Sequence, residues 1–499
     1  MHQVLFIDEI LQEIFHWCSV LEVNVLSQAA RTCQAWKEPA LDALYRQLPS
    51  IEPLWSLLPS LKGGEEANIP SDELQVFRSY ARRVRHITHT TRSTKILQNP
   101  SSCATLCSRN SYIFPNLITA KFRLSKSSPH PSFCLSPRLR ELQLDVGFSA
   151  KDSSSGGLEY LREISIVACY LQSLTFRGLV PDQFDNIIRS MSTLHTLLLR
   201  TGRSVTADII ASISTLPHLN YLELHAQHLE PFQIEDTWRS ASGPLRFPVL
   251  QNLRLRSTPD FAILVLQNVQ STAVHTLSLD IETRDQTTPF WRTIFNVLQE
   301  RFSTSLEHVS ITHHLELDHD IPLDIDLINT IDFAALRSLS RLRDLRRLHF
   351  DTTVPMDIGT EDVIQMVTWW PNLKHLEMWS ESVVDCDENP RRLNPGSTSR
   401  LTLDVLPVIS ASLPKLEFVA LPVDTSGITE EIVSGLQVPG HRNLQGISFS
   451  YPHAPDTTLL PQYLRKIFPA LRQVGRVSGH DRLWESVVTE ACDHTRSAL

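Results

Sequence analysis

The richest set of metal-capable side chains in this 499-residue chain is the run His313, His314, Glu316, Asp318, His319 and Asp320, followed by Asp324 and Asp326. Carboxylates and imidazoles so closely spaced suit a hard or borderline divalent ion. The run has no Gly turn of the calcium-loop kind and stands before the basic stretch RSLSRLRDLRR, so we read it as a solvated acidic insertion facing those arginines. Cys103 and Cys107 are four apart with no second close pair, which suits loop or core thiols better than zinc. His86 with His89 and His225 with His228 form H-x-x-H pairs lacking an obvious third ligand. No dinucleotide fingerprint, phosphate loop, zinc-protease helix or nucleophile elbow occurs. The expectation is a chain that is not an enzyme, with no catalytic residue, no metal and no cofactor.

The elements that position these residues are set by a repeat. A Leu-x-x-Leu-x-Leu-like hexad recurs thirteen times from Leu117 to Leu444, with a looser copy at Leu471; LRELQL from Leu139 and LNYLEL from Leu219 are examples. The in, out, in alternation of its last three positions is strand periodicity, so each hexad predicts one short strand. Between hexads lie helix-compatible segments such as PDQFDNIIRSMST and DVIQMVTWW, several closed by an apolar residue, Pro, any residue and the next hexad Leu, as in FPNL, WPNL and LPKL. Proline there stops the helix and favours an extended chain. The hexads resemble those of leucine-rich repeats, which implies an irregular solenoid with a parallel sheet. Spacings run mostly from 22 to 32 residues, with 10, 39 and 43 as outliers, and loop insertions are expected near 229–247, 313–333 and 380–400.

If positions four and six of each hexad point inward, positions three, five and seven line the outer face of the sheet. Arg200, Arg254 and Arg256 then share that face as a basic patch able to hold an acidic or phosphorylated segment by bidentate hydrogen bonds. Trp379 stands on it as an apolar anchor. These four are the candidate residues for binding a protein substrate.

Charged residues are 20% and hydrophobic residues 42% of the chain, which excludes a mainly disordered, collagen-like or membrane-spanning protein. Lys and Arg number 46 against 55 Asp and Glu, a formal charge of −9. That balance gives no reason to expect nucleic acid or an anionic membrane as partner. Eight scattered cysteines and the lack of a signal peptide suit reduced thiols in a cytoplasmic or nuclear compartment.

Before the repeats, residues 1–60 read as three short helices: DEILQEIFHWC with Asp8 as N-cap, then VNVLSQAARTCQAW, then ALDALYRQL opened by Pro39. FIDEILQEIF followed by LSQAARTCQAWKEPALDALYRQL resembles the F-box, in the version common in large fungal F-box families. Ile7 and Asp8 stand where that family usually has a proline. The resemblance implies an α/β chain in three parts: an F-box-like domain (1–60), a connecting segment (61–110) and a leucine-rich-repeat-like solenoid (111–499). It further implies the substrate-recognition subunit of a cullin-type (SCF) ubiquitin ligase, with Phe6, Ile7, Ile10, Ile14 and Leu26 meeting a Skp-type adaptor and the solenoid holding a protein substrate of unknown identity. The other reading is a leucine-rich scaffold that binds proteins without recruiting a ligase.

Overall fold

The computed structural model describes residues 7–21, 23–60, 69–89, 112–124, 134–148, 155–202, 204–232, 245–283, 290–315, 331–352, 356–380, 400–449, 456–476 and 487. Phe6, the Cys103 and Cys107 pair, the acidic run from Glu316 to Asp326 and most of the three expected insertions lie outside them. The chain divides into two compact units, residues 1–225 with 247–249, and 226–246 with 250–499.

The first unit opens with helices α1 (Asp8–Leu21), α2 (Val23–Thr32) and α3 (Gln34–Arg46). Leu11 and Phe15 of α1 meet Leu26 and Ala29 of α2 and Ala40 of α3 in one buried cluster, against which Trp36 and Leu44 also pack. The Phe15 and Trp36 rings meet edge to face at 6.0 Å. The chain then enters a parallel sheet whose strands follow sequence order: β1 (Gln47–Leu48), β2 (His86–His89), β3 (Thr119–Arg123), β4 (Glu141–Gly147), β5 (Ser173–Gly178), β6 (Thr196–Arg200) and β7 (Tyr221–His225). The sheet thus begins two strands ahead of the first hexad. Val84 and Ile87 are both buried at the spacing of a hexad's first and fourth positions.

The second unit holds parallel strands β8 (Asn252–Ser257), β9 (Thr276–Thr283), β10 (His308–Leu315), β12 (Arg347–Thr352), β14 (His375–Ser380), β16 (Phe418–Leu421), β18 (Gly446–Phe449) and β19 (Gln473–Arg476). Two short parallel pairs flank them, β11 (Ile331–Asp332) with β13 (Met356–Asp357) and β15 (Leu401–Thr402) with β17 (Val423–Asp424). One helix or helical turn generally separates consecutive main-sheet strands, from Ser71–Ala81 in the first unit to Leu459–Ile467 in the second. This strand and helix alternation, built on the hexads, is an α/β array of the leucine-rich-repeat kind.

Pairing is position for position: Thr119 faces Glu141, Thr276 faces His308 and Gly446 faces Gln473, each the third residue of its hexad. The carbonyl of the second hexad residue fixes that register, because it accepts two amides from the next repeat. Arg140 O takes Gln172 N at 2.8 Å and Ser173 N at 2.9 Å, and Gln445 O takes Arg472 N at 2.8 Å and Gln473 N at 2.9 Å. A one-residue slip would lose both bonds and turn every leucine outward. The expected proline signal acts as a β-turn with Pro second. In Phe114-Pro115-Asn116-Leu117, Trp370-Pro371-Asn372-Leu373 and Leu413-Pro414-Lys415-Leu416, the Leu N–H bonds back to the residue before the proline at 3.0–3.2 Å. Each turn therefore also places the first buried leucine of its strand. Between β4 and β5 the register shifts at Gly147, where Gly178 has φ +125° and an added Cβ would lie 2.4 Å from the Gly147 carbonyl oxygen. Only glycine fits there.

One hexad is not a strand. Leu161 to Ile166 lies inside the helix Ser155–Val167. Tyr160, Leu161, Ile164 and Ala168 are buried at helical spacing, whereas Ile166, the hexad's sixth position, is 79% exposed. The physical reason is in the spacing, since ten residues between Leu161 and Leu171 leave no room for a helix and turn between two strands. Tyr160 instead covers the sheet through an edge-to-face contact with Phe122 at 5.2 Å. No helix among the described residues is long and apolar enough to cross a membrane.

Candidate protein-binding surfaces

The inward face of α1 is set by Leu11 and Phe15, and its other face follows from the same periodicity. Ile7 is 44% exposed, Ile14 39% and Trp17 59%, with half-buried Ile10 between them. Their spacing of i, i+3, i+7 and i+10 is one stripe of a helix, and Val25 at the start of α2 is also exposed. Leu26, expected on this surface, is fully buried inside the helical cluster. The sequence reading missed Trp17, although its spacing from Ile7 and Ile10 carried the signal; its indole N–H donates to Glu13 Oε1 at 3.0 Å.

The outer face of each sheet is built of rows, because the register aligns equal hexad positions. In the first unit the seventh positions place Asp145 between Arg123 at 3.7 Å and Arg177 at 2.7 Å. Arg200 donates to Glu223 at 2.8 Å, and His225 Nε2 lies 3.4 Å from the same oxygen. Strand alternation alone makes Glu223 a solvated outer-face residue. It is only 2% exposed, because Arg200, His225 and the Tyr221 hydroxyl at 3.5 Å crowd over it.

In the second unit Arg254 is exposed on β8 and Arg256 is half-buried. The Arg256 guanidinium lies 3.5 Å from Asp280 and donates Nε to Glu282 at 2.8 Å, where Gln227 also donates at 3.1 Å. Burial opposes ionisation of Glu282, but these hydrogen bonds outweigh it and hold its carboxyl below the usual range. Farther along, Glu377 receives His349 Nδ1 and Arg347 Nη2, each at 3.1 Å. The His349 hydrogen bond lowers its pKa against the effect of burial. Trp379 stands opposite Asp351 in the β12 and β14 register. Arg200 thus falls in the first unit and Arg254 and Arg256 in the second, and Arg200 and Arg256 already hold carboxylates of this chain.

The histidine pairs follow strand geometry. His86 and His89 lie three apart on β2, so they project to opposite faces. His313 is in the core, with its Nε2 2.9 Å from Thr283 Oγ1 and its ring against Trp291 at 5.2 Å. Burial pushes its pKa down to about 4.

No protein-family model matches the sequence, and no curated protein matches it. Among solved structures, a leucine-rich-repeat protein of Leptospira interrogans is similar, with 14% identity and a TM-score of 0.37 over 81% of this chain and 97% of that one. The Toll–Spatzle complex of Drosophila is similar at 12% identity and a TM-score of 0.33, over 82% of this chain and 56% of that one. The assignment of the fold rests on the strands, helices and register described above.

Proposed function

We propose that the chain is a protein-recognition subunit: its N-terminal helices dock on a Skp-type adaptor of a cullin-type ubiquitin ligase, and its repeat array holds the protein to be modified. The observation that carries this reading is the stripe Ile7, Ile10, Ile14 and Trp17. The three helices fill their own core with Leu11, Phe15, Leu26, Ala29 and Ala40, so the apolar stripe has no role inside that core, and an exposed helical stripe is what a groove-docking partner takes up. The resemblance of FIDEILQEIF to an F-box gives the class of partner.

The chain does no bond chemistry in this reading. It acts by proximity, holding a substrate lysine at high effective concentration beside a ubiquitin-charged enzyme. Substrate contacts are assigned to the outer face of the second unit's sheet, with exposed Arg254 as the first contact, Arg256 exchanging its internal carboxylates for a substrate's, and Trp379 as anchor; Arg200, in the first unit, stays with Glu223. The setting is intracellular, cytoplasmic or nuclear. The test is co-elution of the full chain with a purified Skp-type adaptor. A stoichiometric complex is expected. A chain that elutes alone at tens of micromolar, and yet captures proteins through the array, belongs to the scaffold reading instead.

A further inference from the structure

A cleft of about 460 Å³ lies in the first unit between α1, α3 and the start of the sheet. That volume is in the range of small-molecule sites. From α3 come Glu38, Asp42 and Arg46, and across from them stand Arg82, Arg83 and Arg85, which follow the helix Ser71–Ala81. The apolar stripe of α1 faces elsewhere, since this helix gives the cleft Gln12, His16 and Ser19.

The charges are unbalanced in a specific way. Arg83, whose side chain is only 8% exposed, binds both carboxylates, Glu38 and Asp42. Its buried Nε has no hydrogen-bond acceptor among the described residues. Arg46, Arg82 and Arg85 have no ion pair among the described residues. Arg46 and Arg85 are held next to each other, because the Arg85 amide donates to the Arg46 carbonyl at 2.9 Å where β1 and β2 begin. Arg85 Nη1 leans on the main-chain carbonyls of Arg82 and Asn116, both at 3.4 Å, contacts that orient a guanidinium without neutralising it. Burial first, then repulsion from Arg138 and Arg46, depresses the Arg85 pKa. Burial, Arg46 and Arg85 likewise favour the neutral form of His86, with Glu141 pulling the other way. Guanidiniums gathered in a concave, partly shielded place repel one another, and a bound dianion relieves that repulsion while filling their planar forks.

We propose that this cleft binds a small phosphorylated molecule, with Arg46, Arg82 and Arg85 as its phosphate ligands and the Arg83, Glu38 and Asp42 wall limiting it to a compact anion. Two carboxylates on one wall disfavour an extended polyanion, and the cleft's size excludes a duplex. The site is distinct from the adaptor and substrate surfaces and does not depend on either.

Pyrophosphate and inorganic phosphate are the probes, titrated into the full chain by calorimetry and thermal melting, with sodium chloride at matched ionic strength as the screen for general salt effects. Saturable one-to-one binding of pyrophosphate and a rise in Tm beyond the chloride control are expected. An Arg46→Gln, Arg85→Gln double variant should bind at least about tenfold more weakly, as expected for loss of two charge-assisted ligands. It should melt no lower than the wild type without ligand, because the repulsion is gone. Arg82→Gln, at an exposed position, gives the same reading if the double variant does not fold. Lys415→Gln, in an exposed turn of the second unit, should bind pyrophosphate like the wild type. No saturable binding above the chloride control, or equal binding by the wild type and the Arg46, Arg85 and Arg82 variants, overturns the proposal.

Discussion

Arg200 Nε sits 2.8 Å from Glu223 Oε1 across two adjacent strands, and the carboxylate beneath it is almost entirely shielded from water. An outer-face position of the repeat is here a structural one. Glu223→Ala leaves Arg200 and His225 without that acceptor, and we expect a loss of about 1 to 3 kcal/mol, the range for a removed partner of a shielded polar group. The half-exposed Arg200 keeps the figure from the upper range for buried pairs. Ser278→Ala, at the matching place on β9, should change stability by less than about 0.5 kcal/mol. Urea unfolding measures both.

The helix that replaces a strand at Leu161 makes a reciprocal prediction. Ile164→Ala should cost about 2 to 5 kcal/mol as a buried aliphatic truncation, and Ile166→Ala less than about 0.5 kcal/mol. A strand over this hexad would bury both, so equal losses in urea unfolding would contradict the helix. Leu222→Ala and Leu277→Ala, inward on β7 and β9, should fall in the same range as Ile164→Ala.

Twelve of the thirteen hexads were legible as strands because leucine spacing and strand alternation are local signals. The exception shows the limit: LREISI satisfies the hexad pattern and the helical pattern together, and only the ten-residue gap to Leu171 decides between them. β1 and β2 escaped notice because Gln47–Leu48 is too short for any period and Val84-x-x-Ile87 ends in His89 where a leucine is usual. Outer-face pairing was not legible at all. It depends on register between strands 23 to 26 residues apart, as with Arg200 and Glu223 or Arg256 and Glu282, and a single strand's sequence holds no record of its neighbour. For the same reason Arg200 and Arg256 of the apparent basic patch prove to face acids of this chain.

Stability should fall as pH drops from about 6.5 to 4, through His313. Its folded pKa lies near 4, against 6.5 for the free side chain. Between those values the unfolded chain takes up a proton that the folded chain refuses, so the unfolding free energy rises with pH across this window. The full effect is about 3 kcal/mol, because each tenfold change in proton affinity is worth about 1.36 kcal/mol. Burial lowers the pKa values of His89 and His308 as well, with the same sign. His313→Gln should flatten the profile of denaturation midpoint between pH 4 and 6.5. A profile as steep as that of the wild type would assign the effect elsewhere.

Substrate capture by the outer face is best probed at Arg254, because Arg256→Glu would set a third carboxylate beside Asp280 and Glu282 and lower stability by itself. Arg254→Glu should leave Tm within about 2 °C, as surface changes usually do, while weakening recovery of proteins captured by the wild-type chain. Unchanged recovery would move the substrate site away from β8.

The docking role of α1 is tested most directly by calorimetric titration of a purified Skp-type adaptor into the wild-type chain and an Ile10→Asp, Ile14→Asp variant. Both residues lie on the outward stripe, so the variant should keep its Tm. The wild type should bind one adaptor with saturable heat, and the variant should lose at least about a hundredfold in affinity, the 2 to 3 kcal/mol that burying charge in an apolar interface costs. Equal affinity of the two proteins, or no binding by the wild type, would contradict the account.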